Sequence, residues 1–209
     1  MGLEISAFSK ARFVSKKEPV DEDVKYYAVY ARERTFARRL DRKKPGYYIS
    51  NSGEDFYFNV RNYWRFSQWR LLLSLTIFGV DDDVIWDNLR KYAQKPFYEI
   101  LYMSNFEGAI GPETSKKLAK DFQDFYEIFK EKLPSIRKRF AAIMKKRNRE
   151  VAKESCRRDK FLRKMLRNKK KREAFFSTPW IDNDRALELY ENFQKAFEVA
   201  SNRGFVCLH

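Results

Sequence analysis

Between Phe97 and Leu133 the chain switches once, from a continuous apolar run to a helical repeat, and this switch constrains the fold more than any other stretch. Phe97 to Met103 is apolar or aromatic except at Glu99, and it has the length of a strand buried on most of both faces. Gly108 and Gly111 then mark a turn, because glycine accepts backbone angles that other residues resist. Pro112 suits the first turn of a helix, where its missing N–H would be unpaired anyway. Leu118, Phe122, Phe125, Tyr126, Phe129 and Leu133 recur at three- and four-residue intervals, which is one face of an amphipathic helix. A strand, a Gly-rich loop and a helix are predicted in that order. The spacings Lys117–Asp121 and Lys120–Asp124 are those of ordinary ion pairs on a helix surface.

Around this centre the remaining elements fall into place. Leu3 to Phe8 alternates apolar with polar residues and predicts a first strand. Val24 to Ala31 is β-prone, and the RERTFARRL run after it suits helix or strand equally. Tyr47 to Ser50 and the alternating Phe56, Phe58 and Val60 predict two more strands. Trp64 to Phe78 reads as a helix ended by Gly79, and Asp81 to Asp83 as the negatively charged, solvated start of a second short helix. Ile136, Phe140, Ile143, Met144, Val151, Leu162, Met165 and Leu166 form a thin apolar stripe, interrupted near Arg147 to Arg149 and at Ser155 to Asp159, that fits two helices or one long one. A helix from about Asp184 to Ala200 and a short strand at Phe205 to Leu208 return the C-terminus to the sheet. The fold class predicted is α+β: a small mixed or antiparallel sheet built from the two ends and the middle of the chain, covered by helices. Residues 1–129 and 174–209 form the core, and 130–173 a basic helical insertion.

Charge separates these parts. Residues 130–173 hold 20 Lys and Arg against 5 Asp and Glu, a surplus equal to the chain's whole formal net charge of +15. A balanced body with a concentrated cationic limb attracts polyanions. Lys145, Lys146, Arg147 and Arg149, then Arg157 and Arg158, then Lys169, Lys170, Lys171 and Arg172 are the candidate phosphate contacts, with nucleic acid as partner. Phe140, Phe161, Phe175, Phe176 and Trp180 lie among or beside them. No apolar run approaches the roughly 20 residues a bilayer requires, and MGLEISAF lacks the basic start and long apolar segment of a secretory signal. Cys156 and Cys207 read as a reduced pair, and the protein as cytoplasmic.

Three separated pieces, MGLEISAFS, PFYEILYMSNFEGAIGPETSKKLAKDF and LYENFQKAFEVASNRGFVCLH, resemble an uncharacterised family of tailed-bacteriophage and prophage proteins. Its members open with Met-Gly-Leu-acidic-Ile-Ser, carry a central Ser-Asp-Cys-Glu-Gly-x-Ile-Gly-Pro block and end in His. Asn105 and Phe106 stand where that block has Asp and Cys, so a nucleophile or base at those positions is missing here. The resemblance implies a phage origin, with the host cytoplasm as setting, and no mechanism. It also draws attention to Tyr63, Arg70, Ser104, Glu107 and His209 as one ligand pocket.

Two classes of function stay open. One is a non-enzymatic accessory protein that grips nucleic acid through the basic segment. The other is a counter-defence protein that uses the five-residue pocket to bind a nucleotide signal or a host protein, or hydrolyses such a nucleotide with Glu107 as base and His209 as acid. No cofactor is expected, since GAIGP matches neither phosphate-loop spacing, and no metal, since one histidine cannot build a zinc site.

Overall fold

A computed structural model describes residues 3–21, 29–31, 41, 44–50, 53–103, 108–158, 168 and 181–208. Alternation along the first strand, β1 (Glu4–Phe8), turns Ile5 and Ala7 to one side and Ser6 and Phe8 to the other. Both sides are buried. β1 pairs antiparallel with β5 (Asp55–Asn59) on one flank and with the C-terminal β7 (Phe205–Leu208) on the other. β7 in turn pairs with the short edge strand β6 (Gly108–Ile110), giving the order β5-β1-β7-β6. The sheet is therefore antiparallel and joins both ends of the chain to its middle. A second antiparallel sheet, β2-β4-β3, is made by β2 (Ala11–Ser15), β4 (Gly46–Ser50) and β3 (Val29–Ala31). Phe8, Phe205, Cys207 and Ala109 from the first sheet meet Tyr48 from the second in a small core of their own.

The other face of the first sheet, through Ile5, Ala7, Val206 and Leu208, joins the main core with the helices. At its centre is α1 (Tyr63–Phe78), in which the ten residues from Phe66 to Thr76 other than Ser67 are buried. A helix apolar on nearly every side has to be surrounded. Its ends are set locally: the Asn62 side chain accepts from Arg65 N at 2.8 Å, and Gly79, at φ 66°, takes the left-handed turn that closes the helix. Two of its polar side chains tie it to the segment before and at the start of the last helix, Trp69 Nε1 donating to Ala186 O at 3.2 Å and Gln68 Oε1 accepting from Ile181 N at 2.9 Å. Beyond α1 come α2 (Asp82–Asp87), α3 (Leu89–Tyr92), α4 (Tyr98–Tyr102), then β6, the long α5 (Pro112–Arg158) and α6 (Asn183–Ser201). Trp69, Phe122 and Phe193 stack, with Trp69 and Phe193 centroids 4.6 Å apart, and Tyr190 donates its hydroxyl to Phe122 O at 2.8 Å. No helix among the described residues is long and apolar enough to cross a membrane.

Two expectations change. Phe97–Met103 is a helix rather than a strand: Phe97, at φ 58°, turns the chain into α4, and Arg70 Nη1 donates to Leu101 O at 3.3 Å and Met103 O at 2.7 Å, satisfying carbonyls at that helix's end. An apolar run of this length carries no period that separates the two states. Part of the Gly-rich turn is strand β6. As far as Val151 the stripe after Leu133 lies on one helix, running without a break through Pro134 and from the core into the basic segment as far as Arg158, so residue 130 ends no element; Leu162, Met165 and Leu166 lie outside the described residues.

Candidate functional site

An α-helix turns about 100° per residue, so residues three, four or seven apart stay near one azimuth. Along α5 the core-facing line passes through Leu118, Phe122, Phe129, Leu133, Phe140 and Met144, all buried. Arg147 is the next member of that line. Three consecutive carboxylates at the start of α2 receive its guanidinium: Nη2 lies 2.7 Å from Asp82 Oδ1 and 2.9 Å from Asp83 Oδ2, and also donates to Asp81 Oδ1. Asp81 doubles as the helix cap, accepting from Asp83 N at 3.2 Å.

This arrangement corrects two sequence readings. The aspartate run is not simply solvated, because Asp82 is only 3% exposed, and Arg147 does not stand free for phosphate. A cation at a core-facing azimuth is tolerable only against opposite charge. Burial pushes the Asp82 carboxyl up, opposed by Arg147. At Arg147 burial works against the charge, and Asp82, Asp81 and Asp83 outweigh it, so the guanidinium is held more firmly protonated than usual. The aspartate oxygens lie within 4.8 Å of one another, close enough to share a cation, and that cation is Arg147.

Beyond Arg147 the buried line along the helix ends among the described residues. Val151 is about two turns past Met144 near the same azimuth, yet it is 46% exposed, and none of residues 148–154 is buried. On the side away from the body, Lys138, Arg139, Lys145, Lys146, Arg149 and Lys153 are all exposed. These six fall within an arc of about 120° on the helix surface. Lys146 lies 4.0 Å from Glu150, and Lys138, Arg139, Lys145, Arg149 and Lys153 form no ion pair among the described residues. Glu150 and Glu154 project to one side of the arc, and Glu131 bounds it two turns before Lys138. The sequence reading missed Lys138, Arg139 and Lys153, although their azimuth opposite Phe140 and Met144 follows from the apolar stripe. Arg157 and Arg158 are the last residues of the helix backbone. Lys169, Lys170, Lys171 and Arg172 lie outside the described residues.

Of the five residues of the expected pocket, Arg70 and Tyr63 are among the described residues. Arg70 is 3% exposed, held by α4's carbonyls and by the Phe66 ring 4.9 Å away; burial lowers its pKa to about 10, partly offset by Asp82. It is thus a buried structural cation rather than an open ligand contact. Tyr63, at the first turn of α1, packs half-buried against the main core. Ser104, Glu107 and His209 lie outside the described residues; Gly108 and Leu208, their chain neighbours on two sides, are paired across β6 and β7. A cavity of about 390 Å³ opens elsewhere, lined by Ser9, Lys10, Gly53, Glu54, Lys195 and Glu198 among others, and none of the residues singled out from the sequence lines it. Cys207 is buried between the sheets, and burial pushes its thiol up, so it offers no nucleophile at neutral pH. The pairs Lys117–Asp121 (3.3 Å) and Lys120–Asp124 (2.7 Å) form as their spacing implies, and Lys117 also binds the buried Glu99 at 2.6 Å. No protein-family model, curated protein or solved structure matches the chain.

Proposed function

We propose that this is a binding protein whose basic helix grips nucleic acid through the phosphate backbone, serving a tailed phage as an accessory protein in the host cytoplasm. The observation that carries the reading is the arc of exposed cations on α5, from Lys138 to Lys153, nearly free of carboxylate partners. Side chains already paired on the protein gain little from a phosphate, whereas hydrated, unpaired ones release the polymer's condensed counterions on contact. The charge surplus of residues 130–173 extends the same field, and the family resemblance of the two ends and the middle supports the phage setting.

Fluorescence anisotropy with a labelled 20-base-pair duplex, titrated between about 50 and 200 mM salt, tests the reading through the linear fall of log K with log salt. Replacing Lys145, Lys146 and Arg149 together by Gln should flatten that slope by about 2.7, roughly 0.9 per lost phosphate contact. It should leave the melting temperature nearly unchanged. Absence of binding at the lowest salt, or an unaltered slope in the folded triple variant, removes the proposal.

A second reading, a counter-defence pocket for a nucleotide signal or a host protein, is supported by one pairing: Gly108 and Leu208, the sequence neighbours of Glu107 and His209, are partners across β6 and β7. A thermal-shift screen with nucleotides is its test, since a ligand at a hundred times its Kd stabilises the fold by about 2.7 kcal/mol.

A further inference from the structure

We infer that the polyanion is duplex DNA, and that the end of α5 past Arg147 enters its major groove; this rests on the nucleic-acid reading above and adds the class of duplex and the groove. The geometry that points there is the change at Arg147. Up to that residue every second turn of α5 is pinned to the body by Phe122, Phe129, Phe140 or Met144, and Arg147 closes the packed part by its grip on Asp81, Asp82 and Asp83. From residue 148 to 154 nothing is fully buried, and Arg149, Glu150, Val151, Lys153 and Glu154 are exposed, so among the described residues this stretch has lost the packed line that holds the rest of the helix.

A polar helix end draws little stability from packing, and a short isolated helix is marginal in water. Here it is propagated from the anchored stretch, which lets an unpacked rod keep its shape. The stretch from residue 148 to 154, in which nothing is buried, is about 10 Å long and, with side chains, about 10–12 Å across. The major groove of B-DNA is about 12 Å wide and admits one helix, whereas the deep, narrow major groove of A-form RNA does not. Lys145, Arg149 and Lys153 lie on one side of the helix, with Glu150 and Glu154 displaced from them, so one orientation turns three cations toward a phosphate wall and the carboxylates away from it. The three carboxylates on Arg147 set the direction in which the helix runs on past them, which makes Arg147 a positioning residue and not a phosphate contact.

The test compares Kd values, at one salt concentration, for a DNA duplex, an RNA duplex and a DNA single strand of the same sequence, and for the DNA duplex with bulky groups on pyrimidine C5. Those groups fill the major groove and leave the phosphates untouched. Expected is at least tenfold tighter binding to plain duplex DNA than to each of the other three. Equal affinity for the groove-filled duplex, or equal or tighter binding of the RNA duplex or the single strand, overturns the groove assignment while leaving phosphate binding standing. Failure to bind any of the four removes both. In a further arm, Arg147→Lys, which keeps the charge but not the fork that spans three carboxylates, should weaken duplex binding several-fold without changing the salt slope. A loss of slope equal to one phosphate contact would instead make Arg147 a direct ligand.

Discussion

Before and after Arg147, α5 follows one helical repeat into opposite surroundings. From Leu118 to Met144 the repeat places large side chains under the aromatic core of Trp69, Tyr190 and Phe193; from residue 148 it places Val151 in solvent. Exposed lysines line both halves, so positive charge alone does not separate them. What separates them is whether another element stands opposite the core-facing line, and among the described residues the last such element is the start of α2. The same contrast sorts the cations: Arg147 at the inner azimuth is consumed by the fold, while Lys145 and Arg149, two residues to either side, are left for a partner. Charge counted along a sequence overstates what a ligand meets.

The largest effect that breaks this comparison is expected from Phe140→Ala, which should cost about 4 kcal/mol because a fully buried ring is replaced by a cavity. Val151→Ala, in the exposed half, should stay within about 0.5 kcal/mol. Comparable losses in urea unfolding would mean that the helix end is packed after all. Next comes Arg147→Met, which leaves Asp82 buried without its counter-charge and should cost about 2–3 kcal/mol, somewhat below a fully buried pair because the guanidinium keeps partial solvent contact. Adding Asp82→Asn should recover more than half of that loss. A double-mutant cycle with no coupling would show that the clamp does not anchor the helix.

The smallest effect sharpens the contrast at the other end of the helix. There Asp41 Oδ1 accepts from Thr114 N at 3.0 Å, and burial pushes its carboxyl up to about 6, against the lowering effect of that bond. Because the folded state holds this proton more tightly than the unfolded chain, the stabilisation is complete below the ordinary value of 3.8 and is lost as pH rises through about 6. After allowance for solvent screening of a half-exposed group, the loss is about 1 kcal/mol. Thermal melts of Asp41→Asn should be flatter than wild type across this window; an identical pH profile would place the titration elsewhere.

Much of the architecture was legible because it is local. Alternation announced Glu4–Phe8 and Asp55–Asn59, and Gly79 and the periodic Leu187, Tyr190, Phe193 and Phe197 announced the ends and faces of α1 and α6. The strand at Ala11–Ser15 went unnoticed, since ARFVS has neither clean alternation nor a long apolar run and is a strand because Tyr48 and Ile49 pair with it. Phe97–Met103 misled for a related reason: buried on both sides, it shows no period, and Arg70 decided its conformation from thirty residues away. At the candidate site, the cationic segment was plain from composition, and its usable face was not.

What the chain by itself determined is a small sheet, mixed or antiparallel, drawn from its two ends and its middle, amphipathic helices, and a cationic surplus confined to one stretch; each is written in the spacing and type of neighbouring residues. Only the tertiary structure decided which cations remain available. An arginine's fate depends on whether carboxylates distant in sequence stand within bonding reach, and that distance exists only once the helices have docked.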